Sequence, residues 1–219
     1  MTYPYQLVVF DWEGTIADTL GQVLLSLAEA ARTMGLGEIN RQQARAYAVM
    51  GLEKMVQKLF PQLSLYQQEQ LVEMVQMNLP CKPGEVCLIP GIRDLLARLH
   101  DEAIHMAVAT NMGLGSLQKA LLSTGLQPYF PIVRTASQVP PKPCPQMLAE
   151  IMTDYTIAAD ATLMIGDSCS DMEMSSQLGV AALGFDYYHQ QESVLKAAGA
   201  QAVYDNYEDV ARFILTKVS

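Results

Sequence analysis

The chain opens on four consecutive apolar residues, Leu7-Val-Val-Phe10, which stop at the carboxylate of Asp11 and turn at Gly14. An apolar run that ends at an acid and a glycine turn predicts a buried strand delivering a polar group at its carboxyl end. The pattern then changes. Leu20, Val23, Leu24, Leu27, Ala28 and Ala31 recur at helical spacing, and Asp18 or Thr19 stands where a cap is needed. Further helices are predicted over 41–50, 52–59 and 67–78, divided by Gly51 and Pro61. Pro80, Pro83, Gly84, Pro90 and Gly91 form a breaker-rich linker. Beyond it helices at 92–99, 117–124, 145–155 and 171–178 alternate with strands at 104–109, 132–134, 162–165 and 180–183. A helix around Val194, a strand at 202–204 and a helix at 207–215 complete the chain.

Strands alternating with helices imply right-handed βαβ units and a mainly parallel sheet. The first strand is separated from its partners by an all-helical block. The predicted fold class is therefore α/β: a Rossmann-like parallel-sheet core from 1–17 and 81–219, interrupted by an α-helical insert at 18–80. A length of 219 residues suits one domain plus an insert, and 50% hydrophobic residues suffice for a sizeable core.

Composition removes several functions. A net charge of −9 argues against a nucleic-acid partner, because neutralising phosphates needs clustered Lys and Arg. No apolar run approaches the ~20 residues of a membrane span, and the first residues lack a signal-peptide pattern, so a cytoplasmic protein without membrane contact is expected. Cys81, Cys87, Cys144 and Cys169 form no CxxC pair and have no histidine at zinc spacing; reduced thiols are the expectation. Met50, Met55, Met74 and Met77 are assigned to the core of the helical block. GxSxG, GxxxxGK[ST] and full GxGxxG motifs are missing, which disfavours a serine hydrolase, a P-loop NTPase and a dinucleotide enzyme.

Polar groups stand at the carboxyl ends of four successive predicted strands. These are Asp11-Trp-Glu-Gly-Thr15, Thr110-Asn111, Lys142 between prolines, and Gly166-Asp167-Ser-Cys-Ser-Asp171. Each has a bland explanation: Thr110 as a turn residue, Lys142 as a solvated charge, Asp167 or Asp171 as a helix cap. Together they form one constellation, since chemistry in open parallel sheets sits outside the carboxyl ends of the strands.

Phosphoryl transfer uses all of these groups at once. A phosphate monoester is anionic, so its site must neutralise it and align a nucleophile. Asp11 and Asp167 can share Mg²⁺, and Asp11 can attack phosphorus. Lys142 supplies a point charge, while Thr110 and the backbone N–H of Asn111 can bind phosphate oxygens. Glu13 is placed to protonate the leaving group and then activate water, and Thr15 adds a hydroxyl on the substrate side.

On these four motifs, with Pro90-Gly91, Gly125-Leu126, Phe130 and Leu178-Gly179-Val180, the chain resembles haloacid-dehalogenase-superfamily hydrolases, its phosphoglycolate-phosphatase-like members in particular. The resemblance implies a Rossmann-like core with a small helical cap after the first motif. It implies Asp11 as nucleophile, Mg²⁺ held by Asp11, the backbone carbonyl of Glu13 and Asp167, and Asp171 as a supporting acid. It also implies a small phosphorylated metabolite as partner, a monomer or homodimer, and a cap whose Leu52 and Lys54 contact the leaving group. One residue departs from the family. Its phosphatases usually carry Asp two residues after the nucleophile, where this chain has Glu13. The extra methylene moves the carboxyl by about an ångström, a misplacement that can cost on the order of a hundredfold in rate. A sugar-phosphate mutase and an impaired module that only binds a phosphorylated ligand or a protein are the alternative readings.

Overall fold

The computed structural model describes residues 3–40, 43–44, 47, 50–79, 85–189 and 191–216. Six strands form one sheet: β1 (Leu7–Phe10), β2 (His105–Thr110), β3 (Ile132–Thr135), β4 (Thr162–Gly166), β5 (Ala181–Phe185) and β6 (Ala202–Tyr204). All five pairings are parallel and the order is β3-β2-β1-β4-β5-β6. The first strand in sequence is thus central. All four of its side chains are fully buried, as a strand covered on both faces requires. Phe10 registers with Val108 on one side and Ile165 on the other, so Asp11 leaves the sheet between the ends of β2 and β4. There the winding direction reverses, and a crevice opens outside the carboxyl ends of the strands.

The chain divides into two compact units, Met1–Ala17 with Leu88–Ser219, and Asp18–Cys87. The second is helical: α1 (Thr19–Thr33), α2 (Leu52–Leu59) and α3 (Leu65–Asn78). Its own core contains Leu24, Leu27, Met55, Val56, Phe60, Leu71 and Val75. Asp18 caps α1 by accepting from the Gly21 N–H at 2.8 Å. α3 begins two residues before its expected start, because Ser64 and Gln67 form a capping box. The helix expected over 41–50 falls mostly outside the described residues. Two of the methionines assigned to this core are corrected: Met50 and Met77 are exposed, Met77 in the last turn of α3, while Met55 is buried.

In the α/β unit the sheet is followed by α4 (Ile92–Asp101), α5 (Leu114–Thr124), α6 (Gln146–Tyr155), α7 (Cys169–Ser176), α8 (Glu192–Ala197) and α9 (Tyr207–Ile214). Leu7 and Val9 share one face with Ala107, Ala109, Met164 and Ala182, packed against Met147, Leu148, Ile151 and Leu195 of the covering helices. Among the described cysteines, Cys144 and Cys169 are free thiols. Cys87 is disulfide-bonded, which corrects the expectation of a reduced thiol there. Cys81 lies outside the described residues.

Because β1 is the central strand and joins both halves of the sheet, truncating its core side chain should be costly. Leu7→Ala should lower unfolding free energy by about 2–5 kcal/mol. A urea titration would show this as a lower midpoint at constant slope; an unchanged midpoint would mean that Leu7 does not carry the central strand.

Candidate active site

Asp11 continues β1, and its N–H donates to the Ile165 carbonyl at 2.9 Å, extending the ladder by one residue. Its Oδ1 accepts from the Trp12 N–H at 2.6 Å and lies 2.8 Å from the Lys142 ammonium. The same ammonium stands 2.6 Å from Asp171 Oδ1. All three groups are withdrawn from water: the Lys142 side chain is 2% exposed, that of Asp171 0% and that of Asp11 10%. Burial pushes the Asp11 carboxyl up to about 6, against the pull of Lys142 and with a further push from Asp171. For Lys142 burial acts to lower the ammonium, and the two facing carboxylates outweigh it, so the lysine is held above its ordinary value and stays charged.

Two glycines bring the acids together. Asp167 follows β4 directly, and Gly14, at φ 79°, lets its carboxylate lie against the turn after Asp11. A Cβ at Gly14 would overlap that carboxylate; so would one at Gly166 with the Asp171 carboxylate. Carboxylate oxygens of Asp11, Asp167 and Asp171 consequently lie within 4.8 Å of one another.

The three acids differ in what already holds them. Asp171 has Oδ1 on Lys142 and Oδ2 on Ser168, whose hydroxyl donates at 2.5 Å and whose N–H donates at 3.2 Å. Both its oxygens are engaged by protein groups, which makes it a holder of the lysine. Asp167 is half-buried and stands nearer solvent. Three carboxylates against one ammonium leave an excess of two negative charges. That surplus would repel a phosphate dianion, and it suits a hard divalent cation with oxygen ligands.

Lys142 is held through its backbone as well. The Asn111 side chain grips residue 142 from both sides: Oδ1 accepts from the Lys142 N–H at 2.8 Å, and Nδ2 donates to its carbonyl at 3.4 Å. The end of β2 is thereby clamped to the lysine loop. Thr110 ends β2, almost fully buried, and its hydroxyl accepts from the Met112 N–H at 3.2 Å. Sequence reasoning had given Asn111 only a backbone role and had passed over Ser168. The Ser-x-x-Asp spacing at 168–171 is a capping-box signal that could have revealed the latter.

The remaining candidates lie elsewhere. Glu13 is half-exposed beside the acid cluster, and among the described residues its carboxylate is outside that cluster. Thr15 is fully buried in the turn that follows Asp11. Leu52 and Lys54 open α2 in the helical unit, Lys54 exposed and Leu52 half-buried. Among the described residues, no helix is long and apolar enough to cross a membrane.

The chain is similar to known proteins over most of its length. The chain is 32% identical to “Probable phosphatase IndB” of Dickeya dadantii, over 97% of this chain and 96% of that one. It is 23% identical to the phosphoglycolate phosphatase of Vibrio parahaemolyticus over 95% and 96% of the two chains. A solved haloacid-dehalogenase-superfamily hydrolase of subfamily IA from Geobacter sulfurreducens superposes with a TM-score of 0.64 at 22% identity, covering 97% of each chain. The sequence profile of the haloacid dehalogenase-like hydrolases matches residues 8–185, spanning β1 through β5 and every group of the acid–lysine site. The chain belongs to that family.

Proposed function

We propose that the protein is a Mg²⁺-dependent phosphatase that hydrolyses small-molecule phosphate monoesters through an aspartyl-phosphate on Asp11. One observation carries the reading: Asp11 is a buried carboxylate with Lys142 at 2.8 Å and two further acids converging on the same point at the sheet's switch. The phosphatase names of relatives alignable over nearly the whole chain support it.

Asp11 and Asp167 would hold Mg²⁺ with the backbone carbonyl of Glu13. Bound there, the ion would neutralise phosphate charge and screen the repulsion between the Asp11 carboxylate and the phosphate. A carboxylate oxygen of Asp11 forms a bond to phosphorus as the ester P–O bond breaks. The leaving oxygen takes its proton from the Glu13 carboxyl. Water then attacks the aspartyl-phosphate and gives a proton to Glu13, the acyl phosphate P–O bond breaks, and inorganic phosphate leaves with Asp11 restored. Lys142 offsets charge on the transferring group, and Asp171, Ser168 and Asn111 keep it in place. Release of phosphate to water separates this activity from a mutase, which would return the group to a sugar.

Asp11→Asn should lower turnover of p-nitrophenyl phosphate by about a thousandfold or more, with an unchanged circular dichroism spectrum. Substantial activity in the folded variant would rule out the covalent route.

Asp167→Ala should raise the Mg²⁺ concentration needed for half-maximal rate by about 10–100-fold. Activity that persists in excess chelator would remove the cation from the mechanism.

Glu13→Gln should slow alkyl phosphates by about 10²–10⁴-fold, because their leaving groups need a proton, and should slow aryl phosphates less. Phosphoenzyme trapped by acid quench should accumulate in that variant. Wild-type rates on alkyl esters would reduce residue 13 to its backbone carbonyl.

A further inference from the structure

The turn that presents Asp11 is largely bonded to itself: Gly14 N–H donates to the Ala17 carbonyl, and the Ile16 and Ala17 N–H groups donate to the Trp12 carbonyl. One contact reaches it from the far end of the chain. The Tyr207 hydroxyl, in the first turn of α9, donates to the carbonyl of Thr15. Tyr207 is 3% exposed, and its ring stacks on Phe185 at the end of β5, with centroids 4.3 Å apart and planes 10° from parallel. Stacking fixes the ring, and with it the position of the phenolic oxygen beside the Thr15 carbonyl. Burial, and after it the charge of Asp167, hold the phenol well above its ordinary value, so it keeps the proton it donates.

On the other side of the bond, the peptide of residue 15 lies in a dry interior. Thr15 Oγ1 has no partner among the described residues. A backbone carbonyl buried there without its donor would be an unmade hydrogen bond, and the turn would shift to relieve it. Residues 13 and 14 precede Thr15 directly. One carries the proposed acid and metal-ligating carbonyl, and the other the glycine on which Asp167 rests.

We propose that Tyr207 is a positioning residue for the nucleophile turn. It clamps the Thr15 carbonyl and so sets residues 13 and 14 against Asp167. The proposal builds on the phosphatase reading above, but the geometry it concerns exists before any turnover.

The test compares Tyr207→Phe with Ile214→Val, in full-length protein at a temperature well below both melting points. Tyr207→Phe removes the hydroxyl and keeps the stacked ring. Ile214 is buried in the same helix, away from the turn, and its truncation lowers stability without touching the clamp. In Tyr207→Phe, kcat on an alkyl phosphate should fall about 10–100-fold with KM within about twofold. Mg²⁺ affinity, read by calorimetric titration of the resting protein, should weaken several-fold. Ile214→Val should keep wild-type values of all three. Unchanged kcat and Mg²⁺ affinity in Tyr207→Phe, or losses matched by Ile214→Val, would overturn the proposal. Should the wild type hydrolyse no phosphate ester, the phosphatase reading fails, and the Mg²⁺ titration alone decides the role of Tyr207.

Discussion

A single buried ammonium shared by two carboxylates organises this protein. Lys142 lies between Asp11 and Asp171, at 2.8 and 2.6 Å, almost without contact with water. Such a group is tolerated only while its partners are in place, and removing one partner of a buried pair costs about 3–5 kcal/mol. The surroundings therefore read as devices that keep the three together. Asn111 grips the lysine backbone, Ser168 occupies the free oxygen of Asp171, and Gly166 leaves room for that carboxyl beneath the end of β4.

The arrangement is frustrated by design. Two acids face one base, a third acid stands close by, and burial already disfavours the ionised form of Asp11. Such a cluster stores electrostatic energy that a bound cation would relieve. The same excess negative charge that makes the site unfavourable on its own suits it to a ligand bringing positive charge. A site already neutral would attract a cation less.

Sheet topology places the cluster. Because β1 is central, with β2 and β4 as neighbours, residues about one hundred and one hundred and fifty positions after Asp11 arrive within hydrogen-bonding distance of its surroundings. Insertion of a separate helical unit between β1 and β2 leaves this placement intact, since Ala17 and Leu88 leave and re-enter the α/β unit side by side as an antiparallel bridge. The α/β unit depends on its own packing for the geometry at Asp11.

The elements, their order and the polar groups at the strand ends are legible along the chain, because strand period, helix period and glycine or proline breakers are local properties. The run Leu7–Phe10 showed a strand buried on both faces, and the motifs at 11, 110, 142 and 167–171 announced phosphoryl chemistry before any coordinate. Tertiary structure decided the division of labour among those groups. That Asp171 serves the lysine while Asp167 stands nearer solvent depends on burial, which spacing along the chain does not encode. That Thr15 turns inward, and that its carbonyl meets a tyrosine 192 residues away, depends on the packing of α9 against the end of the sheet. Contacts of that kind join segments whose local patterns contain no trace of each other, so only the folded chain could reveal them.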